Sequence, residues 1–152
     1  MSTYSQIYIQ VVFAVKNRES LIKANWEERL YKYITGFIKN NQQKLIAING
    51  TENHVHIFLG INTSCRLSDL IRELKKASNN FINENNLCSG RFSWQEGFGA
   101  FSYSRSEIDN VVRYIQNQKQ HHLRNSFKDE FLDYLEKNEI QYKEEYLPDW
   151  NE

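Results

Sequence analysis

The stretch "NHVHIFLG", residues 53–60, decides how the rest of the chain is read. On an extended strand successive side chains point to opposite faces, so His54 and His56 share one face while Val55, Ile57 and Leu59 share the other. A strand with an unbroken apolar row on one side is a strand buried in a sheet. Just upstream, "KLIAIN" (44–49) is near enough to pair with it as a hairpin. Further back, "SQIYIQVVFAV" carries Ile7, Ile9, Val11 and Phe13 at period two, a third strand. Between them Leu30, Tyr33, Ile34, Phe37 and Ile38 recur at helical spacing, behind Asn25 and Glu28 in a capping-box arrangement. Downstream, a second helix from about Ser68 places Leu67, Leu70, Ile71, Leu74 and Phe81 on one stripe. The segment "RFSWQEGFGAFSYS" (91–104) reads as a fourth strand broken by Gly97 and Gly99. Residues 105–120 read as a third helix, and the remainder is helical to about Asn138. The order β-α-β-β-α-β predicts an α+β fold: a ferredoxin-like (split βαβ, RRM-like) antiparallel sheet with helices on one face, plus an extra helix bearing Tyr114 and a C-terminal helical tail. Such a sheet is expected to leave its second face open, the face that RRM-type nucleic-acid binders use.

At 152 residues, with 40% hydrophobic and 14% aromatic content, the chain is expected to form a single domain spanning 1–152. The formal net charge is zero, which alone argues against a nucleic-acid partner. Its distribution does not: residues 1–126 hold 16 basic and 10 acidic side chains, and residues 127–152 hold three and nine. The reading is a basic body carrying +6 and an acidic tail carrying −6, the tail serving either solubility or regulation. Cys65 and Cys88 form no C-x-x-C pair and suggest no disulfide framework, so a reducing compartment is expected. The start has neither the basic region nor the cleavage site of a signal peptide, and "VVFAV" is far too short to span a bilayer. These features predict a soluble, cytoplasmic protein without a membrane partner.

Two imidazoles converging from one strand face suit a single divalent ion; the plainer reading is a pair of buried histidines satisfied by hydrogen bonds. In "EIDNVVRYIQNQKQHH" the stripe Ile108, Val111, Val112 and Ile115 leaves Tyr114 and Gln118 together on its flank, one turn apart. A tyrosine at the edge of a stripe, beside an amide, is placed to line a site where helix meets sheet. Arg66, Arg72, Lys75 and Lys76 cluster around the second helix, either as phosphate contacts or as a solvated basic face. Phe92, Trp94, Phe98, Phe101 and Tyr103 are candidates for base stacking, but their strand setting assigns most of them to the core.

A strand bearing His-hydrophobe-His, followed about 60 residues later by a helix carrying Tyr-x-x-x-Gln, resembles the single-tyrosine HUH transposases of bacterial insertion sequences, which include REP-associated tyrosine transposases. The blocks "VVFAVKNR", "ENHVHIFL", "WQEGFGAFS" and "VVRYIQNQKQHH" match that family's in order. The resemblance implies that His54, His56 and Gln118 hold one divalent metal, Mg²⁺ or Mn²⁺. It implies that Tyr114 attacks a phosphodiester of single-stranded DNA, giving a 5′-phosphotyrosine and a free 3′-hydroxyl. It further implies recognition of a DNA hairpin at the element ends, with Arg66, Arg72, Lys75 and Lys76 as contacts. The family's homodimer would have the tyrosine helix acting in trans, and "SYSRSE" would serve as the hinge. His121, seven residues beyond Tyr114, is a candidate base for the phenol. The rival readings are a domesticated relative that processes palindromic chromosomal repeats, and a ferredoxin-like nucleic-acid binder whose histidines are structural.

Overall fold

The computed structural model describes residues 2–17 and 20–151, so Arg18, which closes the "VVFAVKNR" stretch, lies outside the described residues. The period-two stretches form β1 (Ile7–Ala14), β2 (Lys44–Gly50), β3 (His54–Ile61) and β4 (Gly99–Tyr103). Between them lie α1 (Ala24–Asn40) and α2 (Leu67–Glu84); α3 (Ile108–Gln116), α4 (Gln118–His121) and α5 (Phe127–Lys137) follow. The strands make one antiparallel sheet in the order β2-β3-β1-β4. This is the expected ferredoxin-like α+β arrangement, with β3 in the interior and Val12 directly opposite His56 across the β1–β3 ladder. Among the described residues no helix is long and apolar enough to cross a membrane.

One face of the sheet presents Val11, Phe13, Val55, Ile57 and Leu59 to Leu30, Ile34 and Ile38 of α1 and to Ile71 and Leu74 of α2. This is the main core. The other face is not open. Its apolar side chains Val12, Ala14 and Phe101 pack under Phe127, Phe131 and Leu135 of α5, and Ala47 and Phe58 pack under Val111 and Ile115 of α3. A sheet with apolar residues on both faces needs cover on both, since each large side chain left in water forgoes roughly 1.5–3 kcal/mol. The acidic segment is therefore part of the body. Beyond α5, Trp150 lies edge-on to Phe127 at 5.5 Å.

Three local expectations change. Helix α1 starts at Ala24 behind Lys23 with no side-chain cap, rather than behind Asn25; Trp26, 3% exposed, is drawn into the core and sets the first turn by packing. The fourth strand is confined to 99–103. Trp94 makes only an isolated bridge to Val15, and Gly97 at φ +89° turns the chain between the two pieces. The third helix is interrupted at Asn117 (φ −97°, ψ 16°), which separates α3 from α4 and redirects the residues that follow.

Candidate active site and metal centre

Both histidines point to the face of β3 that α3 and α5 cover, and both are fully buried. A tight turn delivers the first of them: the Thr51 N–H donates to the His54 carbonyl at 3.0 Å. A Cβ at Gly50 would stand 2.2 Å from that carbonyl oxygen, so no larger residue fits there.

The outer nitrogen of each ring is held by an amide. Asn53 Nδ2 donates to the Trp150 carbonyl at 2.9 Å, which turns Oδ1 of the same amide toward His54 Nδ1 at 2.7 Å. Gln10 Nε2 donates to the Tyr103 hydroxyl at 3.0 Å, and its Oε1 meets His56 Nδ1 at 2.7 Å. An amide oxygen only accepts, so both rings carry their proton on Nδ1 and turn a bare Nε2 inward.

Facing those nitrogens is a residue that sequence reasoning assigned to the acidic tail. Glu130, on α5, is 5% exposed. Its Oε1 lies 2.9 Å from His56 Nε2, 3.3 Å from His54 Nε2 and 3.2 Å from His122 Nε2. Its Oε2 accepts from Gln118 Nε2 at 3.1 Å and from the Tyr114 hydroxyl, and lies 3.5 Å from His121 Nε2. All four histidines of the chain thus converge on one carboxylate. A signal for it was present: Phe127, Phe131 and Leu135 form the apolar stripe of α5, and Glu130 sits on that stripe rather than opposite it. Asn53, Gln10 and His122 were also missed, since their roles depend on which strands and helices meet.

Across the break at Asn117, Tyr114 and Gln118 still face one site, and both donate to Glu130 Oε2. Tyr114, from α3, sets its ring 6.1 Å from His56 and its hydroxyl 3.2 Å from His121 Nε2, so His121 does meet the phenol. Gln118, from α4, is fully buried, with Oε1 3.3 Å from His54 Nε2. Burial raises the Tyr114 pKa well above the ordinary phenol value, and the negative charge of Glu130 raises it further. Burial also lowers His54 to about 4, despite the neighbouring Glu130 carboxylate, so its ring is neutral at physiological pH. For Glu130 burial acts upward, but the imidazoles of His56, His122 and His54 gathered around it outweigh that, and the carboxyl stays well below the usual carboxylate range.

These groups fit a divalent ion. Two imidazole lone pairs facing a carboxylate repel it unless a proton or a metal ion lies between them. His54, His56, His122 and Glu130 each offer a donor atom, all within 4.8 Å of one another. Bonds of ~2.1 Å space neighbouring donors by ~3.0 Å in an octahedron and ~3.4 Å in a tetrahedron. The three distances to Glu130 Oε1, 2.9 to 3.3 Å, lie at those spacings.

The basic residues of α2 are not part of this cluster. They stand on the opposite face of the sheet, because Leu70, Ile71 and Leu74 of the same helix fill the first core. Arg66 and Arg72 pair with Asp69 at 3.4 and 3.0 Å on the surface. Lys75 is turned inward: its ammonium donates to the Gln95 carbonyl at 2.9 Å and to that of Gly97, and burial lowers its pKa to about 8. Lys76 is exposed. Of the aromatic residues in 91–104, Phe92, Trp94 and Phe101 are core, and Phe98 is exposed.

The structure thus joins a ferredoxin-like sheet to a buried histidine–carboxylate cluster that could hold a metal ion, with a tyrosine hydroxyl hydrogen-bonded into it. The family model described as Transposase IS200 like matches residues 3–118. The chain belongs to that family of transposases. Two solved structures share the fold. One is a protein assigned as a transposase from Deinococcus radiodurans R1, 18% identical, with a TM-score of 0.61, covering 78% of this chain and 95% of that one. The other is a REP-associated tyrosine transposase bound to a REP hairpin, 19% identical, with a TM-score of 0.59, covering 80% of this chain and 74% of that one. No curated protein matches the sequence.

Proposed function

We propose that this transposase cleaves and rejoins single-stranded DNA through Tyr114, with a divalent metal held by His54 and His56. The observation that carries the reading is the Tyr114 hydroxyl, hydrogen-bonded to the same carboxylate that faces the bare nitrogens of both histidines. In the first step a bond forms between Tyr114 Oη and phosphorus, and the bond from phosphorus to the 3′ oxygen breaks. The phenolic proton passes to a neighbouring acceptor, for which His121 Nε2 at 3.2 Å is placed, and the departing 3′ oxygen takes a proton from solvent to become the free 3′-hydroxyl. The covalent phosphotyrosine conserves the bond, so attack by another 3′-hydroxyl returns the phenol and rejoins the DNA without a nucleotide. A bound ion, Mg²⁺ or Mn²⁺ by family expectation, would supply Lewis-acid polarisation of the phosphate oxygens. Gln118, beside His54, orients the inner groups or serves as a further ligand.

The DNA is proposed to be a hairpin-forming strand, since one structural relative is bound to a REP hairpin. Arg66, Arg72 and Lys76 are its proposed phosphate contacts on the far face. Lys75, engaged with backbone carbonyls, supports the loop at 95–97 instead. The test is incubation with hairpin-forming single-stranded oligonucleotides and Mn²⁺. A covalent protein–DNA band that disappears in Tyr114→Phe supports the reading, and an undiminished band in that variant overturns it.

A further inference from the structure

We propose that Glu130 and His122, rather than Gln118, complete the donor set begun by His54 and His56, and that the set selects a first-row transition-metal ion over Mg²⁺. The inference deepens the function proposed above but concerns ion binding alone, so it is tested without DNA.

The two sides of the Glu130 carboxylate are differently occupied. Oε1 faces three imidazole nitrogens at 2.9, 3.2 and 3.3 Å, whereas Oε2 is taken by hydrogen-bond donors, the Tyr114 hydroxyl and the Gln118 amide. A carboxylate so arranged binds an ion through Oε1 and is oriented through Oε2, as ligating carboxylates are by their outer neighbours. Gln118 is one of those neighbours. Its Nε2 donates to Oε2 at 3.1 Å, an orienting contact that leaves the inner position to Oε1. The residues also differ in kind. Three imidazoles and one carboxylate form a nitrogen-rich set suited to iron, cobalt or zinc; Mn²⁺ is the weakest binder of that row, but Mg²⁺ prefers oxygen ligands and retains water. Since Oε2 carries the phenol, the nucleophile would be tied to the metal through one side chain of α5.

The ions themselves are the probes. Calorimetry with MnCl₂ and with MgCl₂ on the wild-type protein should give Mn²⁺ binding at least about 100-fold tighter. Glu130→Gln keeps the size of the side chain and removes its charge; it should weaken Mn²⁺ binding at least about 100-fold, and His122→Ala should follow. Gln118→Ala should cost about tenfold, the lower end of the outer-neighbour range. Visible absorption of the Co²⁺-loaded protein reads the donor set directly. Its bands should shift in Glu130→Gln and in His122→Ala and stay in place in Gln118→Ala. Bands that move only in Gln118→Ala, equal Mg²⁺ and Mn²⁺ affinity, or tighter Mn²⁺ binding by Glu130→Gln would each overturn the proposal; the last would make Glu130 a plug. Thermal unfolding without metal checks that each variant is folded, and His122→Ala decides the matter if Glu130→Gln is not. The proposed function fails separately, on the Tyr114→Phe adduct.

Discussion

A phenol that donates to a buried carboxylate is held protonated, and Tyr114 is such a phenol. Its ring also packs against His121, Tyr134 and His56, so Tyr114→Phe removes one oxygen and leaves the packing. The variant should lose covalent adduct formation by at least about 1,000-fold, since nothing would replace the proposed nucleophile, while hairpin binding in a filter assay changes less than about threefold. His54→Ala and His56→Ala should each abolish cleavage and weaken Mn²⁺ binding measured by calorimetry; unchanged affinity in both would make the pair structural. Acid should destabilise the fold. His54 is held to about 4 in the folded state, whereas an unfolded histidine takes up its proton near ~6.5. The folded chain therefore binds fewer protons in that window, and stability falls as pH drops from about 6.5 toward 4, by up to about 3 kcal/mol. Glu130, held below its ordinary value, adds a loss of the same sign under more acid conditions. Urea midpoints measured at pH 7.5 and pH 4.5 without metal check this, and equal midpoints would contradict it.

Among the elements, α5 carries most of what was hidden. The strands were legible because alternation has one physical meaning, and His54 and His56 were legible because a polar residue repeated at period two on an apolar strand has no packing purpose. Glu130 was not read, because nine acidic residues in 26 make any one of them look like solvated charge. Its place on the apolar stripe of α5 set it apart, but only the meeting of α5 with the second sheet face shows what it meets. The break at Asn117 escaped for a related reason: no glycine or proline in "NQKQHH" marks a stop after Ile115, and the Gln116 carbonyl at the break accepts from Asn49 Nδ2 at 3.1 Å, a contact made in the tertiary structure. Because α5 both fills the core and carries Glu130, loosening it should act twice. Phe131→Ala should cost roughly 3–5 kcal/mol of stability by urea unfolding. It should also weaken Mn²⁺ binding, although residue 131 touches no ion. Leu123→Ala, at a site 78% exposed, should change neither.

For the molecule as a whole, one chain suffices to bring Tyr114 beside its own histidines. The shared-site dimer that the resemblance implies would require α3 to leave Ala47 and Phe58, which it covers here. Mixing Tyr114→Phe with His56→Ala subunits decides between the arrangements. Restored cleavage would mean that the helix crosses between chains, and mixtures that stay inactive despite subunit exchange would mean that it does not. The charge division adds a further expectation. Deleting Lys143–Glu152 removes three net negative charges, so binding of random single-stranded DNA should tighten at low salt and depend more steeply on salt. An identical salt slope for both proteins, each folded by circular dichroism, would place the acidic residues out of reach of the DNA.

The same segment bears on the order in which the protein becomes competent. The Trp150 carbonyl holds the amide of Asn53, which sets the proton on His54, and Glu130 meets the inner nitrogens of both histidines. Translation delivers these groups at widely separated times. A ribosome that has made the whole sheet has produced both histidines but neither their anionic partner nor the prop behind Asn53. A nascent chain can thus be largely folded while its chemistry is still unassembled, and the enzyme would emerge from synthesis inert until residue 150 is free to settle.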